Sequence, residues 1–339
     1  MPTSYPVVVL RALGLGDLLT AVPALRALAD AFPRHQRLLA APAALAPLAH
    51  CSGAVDGVIP TDGLDQPLDR RLHDAAIAVD LHDRGPRSHE LLLAAEPRRL
   101  VAFAHPAVPA SSDGPRWRAD EHEVTRWCRL LEESGIPADP GRLDLEIPPA
   151  PLPFGAQGAT LVHPGAATPA RRWPAERFAA VARAEAEAGR PVLVTGGQAD
   201  TGLAREVGAQ AGLPARAVRT GQGALALARL VDAADRVVCG EGGVAHLAVA
   251  VGTPSVVLFG PTSPAVWGPP ADRPWHQALW AGTSGDPDGQ LPDPGLLAIT
   301  VDQVLVALGG LRPAPDEPGE PAARPNDRVA RLQAAERVA

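Results

Sequence analysis

Residues 237–264 constrain the fold more than any other stretch of the chain. They read V-V-C-G-E-G-G-V-A-H-L-A-V-A-V-G-T-P-S-V-V-L-F-G-P-T-S-P. A short β-branched run is followed by a glycine turn, an apolar helix over 244–251, a Gly252-Thr253-Pro254 stop and a second apolar strand over 255–259. Two buried strands joined through one helix imply a parallel pair. The turn has chemistry of its own. Gly240, Gly242 and Gly243 bracket a single acid, Glu241, and let a ligand approach the backbone closely. The free N–H groups and positive dipole end of the helix favour an anion there by roughly 0.3–2 kcal/mol. His246 lies one turn into the helix. Two readings stand at this level: glycines that serve a tight turn alone, and an anion-facing turn suited to phosphate.

The same alternation runs through the rest of the chain. Strands are expected at 6–11, 37–40, 55–59, 75–81 and 100–103, with helices at 17–31, 43–50, 88–95 and 121–134. Pro23 inside the first helix predicts a kink or a late start. The pattern then breaks at I-P-P-A-P-L-P-F (147–154), which is uncharged and reads as an extended linker. It resumes with strands at 160–162, 192–195, 236–239 and 255–259, and helices at 175–188, 201–211, 224–233 and 244–251. Two doubly wound parallel sheets follow from this pattern. The expected domains are 1–147, a linker 148–156, and a second domain 157–311. A tail, 312–339, is too rich in proline and charge to pack a core and carries a marginal last helix at 327–338. Ligands of open α/β sheets bind at the carboxyl ends of strands. That singles out the loops 14–17, 163–172 and 240–243 and predicts a cleft between two facing domains.

Composition narrows the function classes. Of the 339 residues, 46% are hydrophobic and 20% charged, which is the balance of a globular chain. A net charge of −7 argues against nucleic acid, whose binders need a basic face. All 31 basic residues are arginine, so any role usually given to lysine must fall to arginine. Cys51, Cys128 and Cys239 are far apart and odd in number; they suit neither a disulfide framework nor a zinc site, and point to a reducing compartment. The N-terminus lacks a basic segment followed by an apolar core, and no uncharged apolar run reaches about 18 residues. A cytoplasmic protein is expected, with room for peripheral contact with the inner membrane face.

The loaded loops each admit two readings. Gly14-Leu15-Gly16-Asp17 opens like a dinucleotide fingerprint, but Leu19 replaces the third glycine and the next strand ends in Leu39-Ala40-Ala41, without an acidic ribose ligand. NAD is therefore not expected. Asp17 can cap the helix, or serve as a general base for an acceptor hydroxyl; a capping carboxylate keeps one oxygen free for the second task. Arg171-Arg172 is either a solvated face or a cation pair for a leaving diphosphate, whose oxygens suit the arginine fork. Trp173-Pro174 reads as a helix start with Trp173 as a staple. Thr195-Gly196-Gly197 reads as a turn. So does Asp286-Pro287-Asp288, the nearest string to a D-x-D metal motif, and no metal site is expected.

Taken in order, four segments carry a resemblance: L-G-L-G-D-L-L-T-A-V-P-A-L-R-A-L, H-P-G-A…R-R-W-P…E-R-F, L-V-T-G-G, and C-G-E-G-G-V-A-H-L-A…G-T-P…L-F-G-P-T-S-P. Over 7–310 the chain resembles the ADP-heptose heptosyltransferases of glycosyltransferase family 9. The resemblance implies a GT-B fold: two Rossmann-like doubly wound domains facing a central cleft, with the acceptor on the N-terminal domain and the nucleotide sugar on the C-terminal one. It implies an inverting glycosyltransferase without metal or other cofactor. Such an enzyme moves a sugar, heptose from an ADP-linked donor, onto a hydroxyl of a glycan or glycolipid, as in lipopolysaccharide core biosynthesis. A monomer is expected. By the same resemblance Asp17 stands where the family has its catalytic base, and Arg171 where it usually has a lysine that contacts the donor phosphates. Gly14 and Gly16, in the turn before Asp17, are expected to bind substrate; Gly165 and Ala166 fall in the donor loop, and Gln222 near the nucleobase pocket. Glu241, Gly242, Gly243 and His246 fall in the sugar–phosphate turn. One departure stands out: Glu241-Gly242 occupies the place where the family commonly has Asp-Thr. The change adds a methylene and removes a hydroxyl, and a lost hydrogen bond to a charged group is worth about 1.5–3 kcal/mol. Two other readings remain. One is a catalytically weakened nucleotide-sugar-binding protein, in which this pair marks relaxed donor recognition; the other is a nucleotide-sugar epimerase of the same fold.

Overall fold

The structure, a computed structural model, describes residues 5–314. The helix expected at 327–338 lies outside the described residues. The chain divides into two compact units with the break at Pro148–Pro149.

In the first unit β1 (Val7–Leu10), α1 (Leu15–Ala31), β2 (Arg37–Ala41), α2 (Ala46–His50), β3 (Gly57–Pro60), β4 (Ile77–Asp80), α3 (Arg87–Leu93), β5 (Leu100–Val101) and α4 (Glu123–Glu133) follow one another. They build a parallel sheet of order β3-β2-β1-β4-β5. β1 and β4 are buried along their whole length, as the apolar runs V-V-V-L and I-A-V require in a sheet covered on both faces; Asp80, at the end of β4, is buried with them. α1 begins at Leu15, ahead of the expected start at Asp17, and continues through Pro23 instead of starting late. A proline inside a helix costs about 3 kcal/mol. Leu18, Leu19, Val22, Leu25 and Leu28 are all buried on this helix, at about 1.5–3 kcal/mol each, so packing outweighs the broken bond.

The second unit contains β6 (Thr160–His163), α5 (Ala175–Glu187), β7 (Val192–Gly196), α6 (Thr201–Gln210), β8 (Val218–Thr220), α7 (Ala224–Ala233) and β9 (Arg236–Gly240). It continues with α8 (Gly243–Val251), β10 (Ser255–Phe259), α9 (Pro264–Trp267), β11 (His276–Trp280), α10 (Pro294–Ala298) and α11 (Val301–Gly310). The sheet order is β11-β10-β9-β6-β7-β8. From β6 the chain winds outward to β8, crosses back over β6 to β9, and winds outward the other way. The first unit makes the same reversal between β3 and β4. Both are therefore doubly wound Rossmann-like sheets, as expected of each domain of a GT-B fold.

Two local details place the functional loops. Trp173 is buried and meets Phe178 edge-on at 5.0 Å, closing the hydrophobic staple at the start of α5; Pro174 is the N-cap rather than the first helical residue. Residues 244–251 of α8 are buried all round, and Gly252 ends the helix in the left-handed conformation at φ 72°.

Candidate functional site

The crevice of a doubly wound sheet lies where adjacent strands send their connections in opposite directions. These points are β1/β4 in the first unit and β6/β9 in the second. Register fixes which residues leave them side by side: Leu10 lies opposite Asp80, and His163 opposite Cys239. The loops 11–17 and 81–87 therefore emerge together, as do 164–172 and 240–243.

In the first unit the loop after β1 is organised by Arg11, which is buried yet saturated with partners. Its Nε donates to the Asp17 carbonyl at 2.9 Å, and Nη2 to Thr20 at 3.2 Å and to Glu123 Oε1 at 3.0 Å. Nη1 donates to the carbonyl of Leu81, and the guanidinium stacks 4.7 Å over Trp127. A buried charge is tolerable only with such compensation. Asp17 is the third residue of α1, not its N-cap. Its Oδ2 accepts the backbone N–H of the N-cap Gly14 at 3.1 Å, and its Oδ1 lies 3.5 Å from Arg11 Nη2. The carboxylate is held from two sides while its side chain keeps 29% of its surface exposed. Gly16 is buried in the first turn of the same helix.

The neighbouring loop after β4 carries titratable groups that the sequence reading passed over. Asp80 is wholly buried; burial pushes its carboxyl up to about 7, against the pull of Ser88 and of the backbone N–H of His82. His89, also buried, lies 3.4 Å away, and burial lowers its imidazole. His82 accepts the Ala12 N–H on Nδ1 at 3.2 Å, which requires that nitrogen to be unprotonated. Its imidazole is lowered by burial; Asp83 and Asp17 oppose this and Arg11 adds to it. The signal was present in L-H-D-R-G-P, a polar string directly after an apolar strand.

In the second unit the two arginines part company. Arg172 is engaged: it donates to the Ala166 carbonyl at 3.2 Å and pairs with Asp200 at 3.4 Å. Asp200 in turn lies against Gly165, where a Cβ would sit 2.5 Å from its Oδ2. Arg171 has no ion pair among the described residues, and its Nε is buried without a hydrogen-bond partner. The Arg171 carbonyl approaches Gly240 so closely that a Cβ there would lie 3.2 Å from it. The β6 and β9 loops are thus in contact. Glu241 is buried, with Oε1 accepting the Gly260 N–H at 3.4 Å. Burial raises its carboxyl, while Thr262, Arg171 and the Gly260 N–H pull the other way. Gly242 caps α8 and Gly243 opens it; the Ala245 N–H is bonded to the Gly242 carbonyl at 3.1 Å, which leaves the N–H groups of Gly243 and Val244 as the first-turn donors without an intrahelical acceptor. His246, on the same helix, packs its ring edge against Trp267 at 4.7 Å. His163, at the end of β6, is bonded to the Thr195 hydroxyl at 2.9 Å, and burial lowers it to about 4.

The structure therefore brings together Gly14, Gly16 and Asp17 in the first unit. In the second it gathers Gly165, Ala166, Arg171, Glu241, Gly242, Gly243 and His246. Gln222 stands apart, exposed beyond the end of β8, two strands from β6. Asp286-Pro287-Asp288 is a turn: the Asp288 N–H bonds the Asp286 carboxylate at 3.0 Å, and the Pro287 carbonyl accepts the Thr168 hydroxyl at 2.6 Å. Among the described residues no three His, Cys, Asp or Glu side chains are grouped to hold a metal ion. Nor is any described helix long and apolar enough to cross a membrane.

Solved structures with this fold include a family 9 glycosyltransferase from Veillonella parvula, 21% identical, with a TM-score of 0.72 over 91% of this chain and 98% of that one. The E. coli ADP-heptose lipopolysaccharide heptosyltransferase II is 20% identical, with a TM-score of 0.72 over 90% and 97%. The E. coli heptosyltransferase WaaC, solved with ADP, is 17% identical, with a TM-score of 0.67 over 90% and 99%. None of the curated proteins is a significant sequence match. The model of glycosyltransferase family 9 (heptosyltransferase) matches residues 111–284, just over half of the chain, which includes the loops 164–172 and 240–243. The chain belongs to glycosyltransferase family 9.

Proposed function

We propose that the protein transfers a sugar, heptose from an ADP-linked donor, onto a hydroxyl of a glycan or glycolipid, with inversion and without a metal ion. The observation that carries the reading is the division between the two arginines. Arg172 is consumed by Asp200 and Ala166, whereas Arg171 keeps its charge unpaired beside the glycine-capped start of α8. A diphosphate there meets a guanidinium fork and the free N–H groups of a helix N-terminus, which supply the positive charge that a metal ion would otherwise bring. Asp17 accepts the proton of the acceptor hydroxyl as its oxygen bonds to the anomeric carbon. The bond from that carbon to the diphosphate breaks on the opposite face, and the nucleoside diphosphate leaves. The Gly14 N–H and Arg11 orient Asp17 for this step. The ADP-linked donor is supported by the heptosyltransferases whose fold the chain shares. Release of nucleoside diphosphate from a panel of nucleotide sugars tests the donor. Asp17→Asn is expected to lower transfer roughly 10²–10⁴-fold while ADP binding persists; unchanged turnover sinks the base assignment.

A further inference from the structure

Glu241, where the chain departs from its family's pattern, is also a buried carboxyl with an oxygen left unsatisfied. It is 2% exposed, and Oε2 has no hydrogen-bond partner. It directly precedes Gly242, the N-cap of the nine-residue α8, where a Cβ would meet nothing within 4 Å. Arg171 faces it from the β6 loop, and Gly260 and Thr262 from the β10 loop. Asp293 packs against Gly260 and spends its carboxylate capping α10. His246 is the titratable side chain that follows on α8. An ionised carboxylate in this place would repel a diphosphate, whereas a neutral carboxyl offers it an O–H.

We propose that Glu241 holds the donor diphosphate as a neutral carboxylic acid, Oε2–H donating to a phosphate oxygen, so that binding takes up a proton from solvent at any pH where the empty site is ionised. The proposal rests on the donor-loop reading given above. It supplies the hydrogen-bond donor that Gly242, lacking a hydroxyl, does not. Burial raises the Glu241 carboxyl even in the empty site, against Thr262, Arg171 and Gly260, and a neighbouring polyanion raises it further. The sign follows. The ligand prefers the protonated form, so affinity is full at low pH and declines as pH rises through the empty-site pKa, by at most about tenfold per unit.

The test is calorimetric titration of ADP, GDP and UDP between about pH 6 and 9, in buffers of different ionisation enthalpy. Wild type should take up more protons than Glu241→Gln, whose amide donates at every pH, and only wild type should lose affinity on the alkaline side. Should the variant fail to fold, wild type alone decides. Uptake above about pH 8 cannot come from the nucleotide, whose terminal phosphate has a second pKa of about 6. Binding without extra uptake in wild type, or equal uptake in both proteins, overturns the proposal and leaves the donor-loop reading standing. Failure of all three nucleotides to bind removes that reading and the proposal with it.

Discussion

Replacing Gly165 with alanine places a Cβ 2.5 Å from Oδ2, 2.8 Å from Cγ and 3.3 Å from Cβ of Asp200. Ordinary contact begins near 3.4 Å, so the carboxylate must retreat by about 1 Å. It cannot escape by rotation alone, because the Asp200 Cβ is itself too close and its backbone is tied into α6 through the Ala204 N–H at 2.9 Å. Overpacking of this kind costs about 1–3 kcal/mol. The half-exposed Arg172–Asp200 pair adds no more than about 1 kcal/mol after solvent screening. At roughly 2–4 °C per kcal/mol, thermal unfolding of the second unit should fall by several degrees. ADP affinity should fall too, because the loop that presents Arg171 is displaced. The decisive comparison is the double variant. In an Asp200→Ala background the carboxylate is gone and only the 3.3 Å Cβ contact remains, so Gly165→Ala should cost much less there, with about 0.4–1 kcal/mol offset through the unfolded chain. Melting curves of the four proteins give the coupling directly. If Gly165→Ala costs the same in both backgrounds, the clasp between Asp200 and the donor loop does not exist.

Two further substitutions probe the switch points. Asp80 keeps its proton to about pH 7 in the folded chain but loses it near 3.8 when unfolded, so the native state binds more protons between those values. Stability should therefore fall as pH rises from about 4 to 7, at up to about 1.4 kcal/mol per unit, and Asp80→Asn should flatten the urea midpoint against pH; an unchanged slope excludes Asp80 as the source. Gly242→Thr puts a side chain where a Cβ meets nothing within 4 Å, so melting should move by less than about 1 °C. ADP should bind about tenfold or more tightly if the restored hydroxyl reaches a phosphate oxygen, since such a bond is worth about 1.5–3 kcal/mol; a weaker complex by calorimetry would mean that the hydroxyl points elsewhere.

The apolar periodicity announced the sheets because a strand covered on both faces is apolar along most of its length, as β1 is throughout and β4, β9 and β10 are apart from Asp80, Arg236 and Ser255 at their ends. β8 and β11 escaped notice for the converse reason. They are the outer strands, half-exposed and mixed in composition, so V-R-T and H-Q-A-L-W carry no run to detect. α11 was legible in principle, since Thr300 and Gln303 form a capping box ahead of V-L-V-A-L. At the site, glycines and charges at strand ends pointed to the right loops. Sequence spacing could not show which charge is spent. Arg171 and Arg172 are adjacent and alike, and only the Asp200 side chain, 28 residues on, distinguishes them. Arg11 likewise read as the end of a strand, because Glu123, its partner, lies 112 residues away.

Those long-range partners give one topology two opposite electrostatic settings. At β1/β4 the buried Arg11 is neutralised by Glu123 and lies beside Asp17, so the loop presents a fixed carboxylate rather than a net positive field. At β6/β9 the arrangement is inverted. The carboxylate of Asp200 is paired with Arg172, the Glu241 carboxyl is driven by burial toward its neutral form, and Arg171 is left as the uncompensated cation beside a helix N-terminus. A proton acceptor needs an exposed lone pair whose charge is steadied from behind; a diphosphate needs positive charge and N–H donors with nearby carboxylates silenced. The Glu241 carboxyl reaches the Gly260 N–H, and burial there shifts it toward its neutral form.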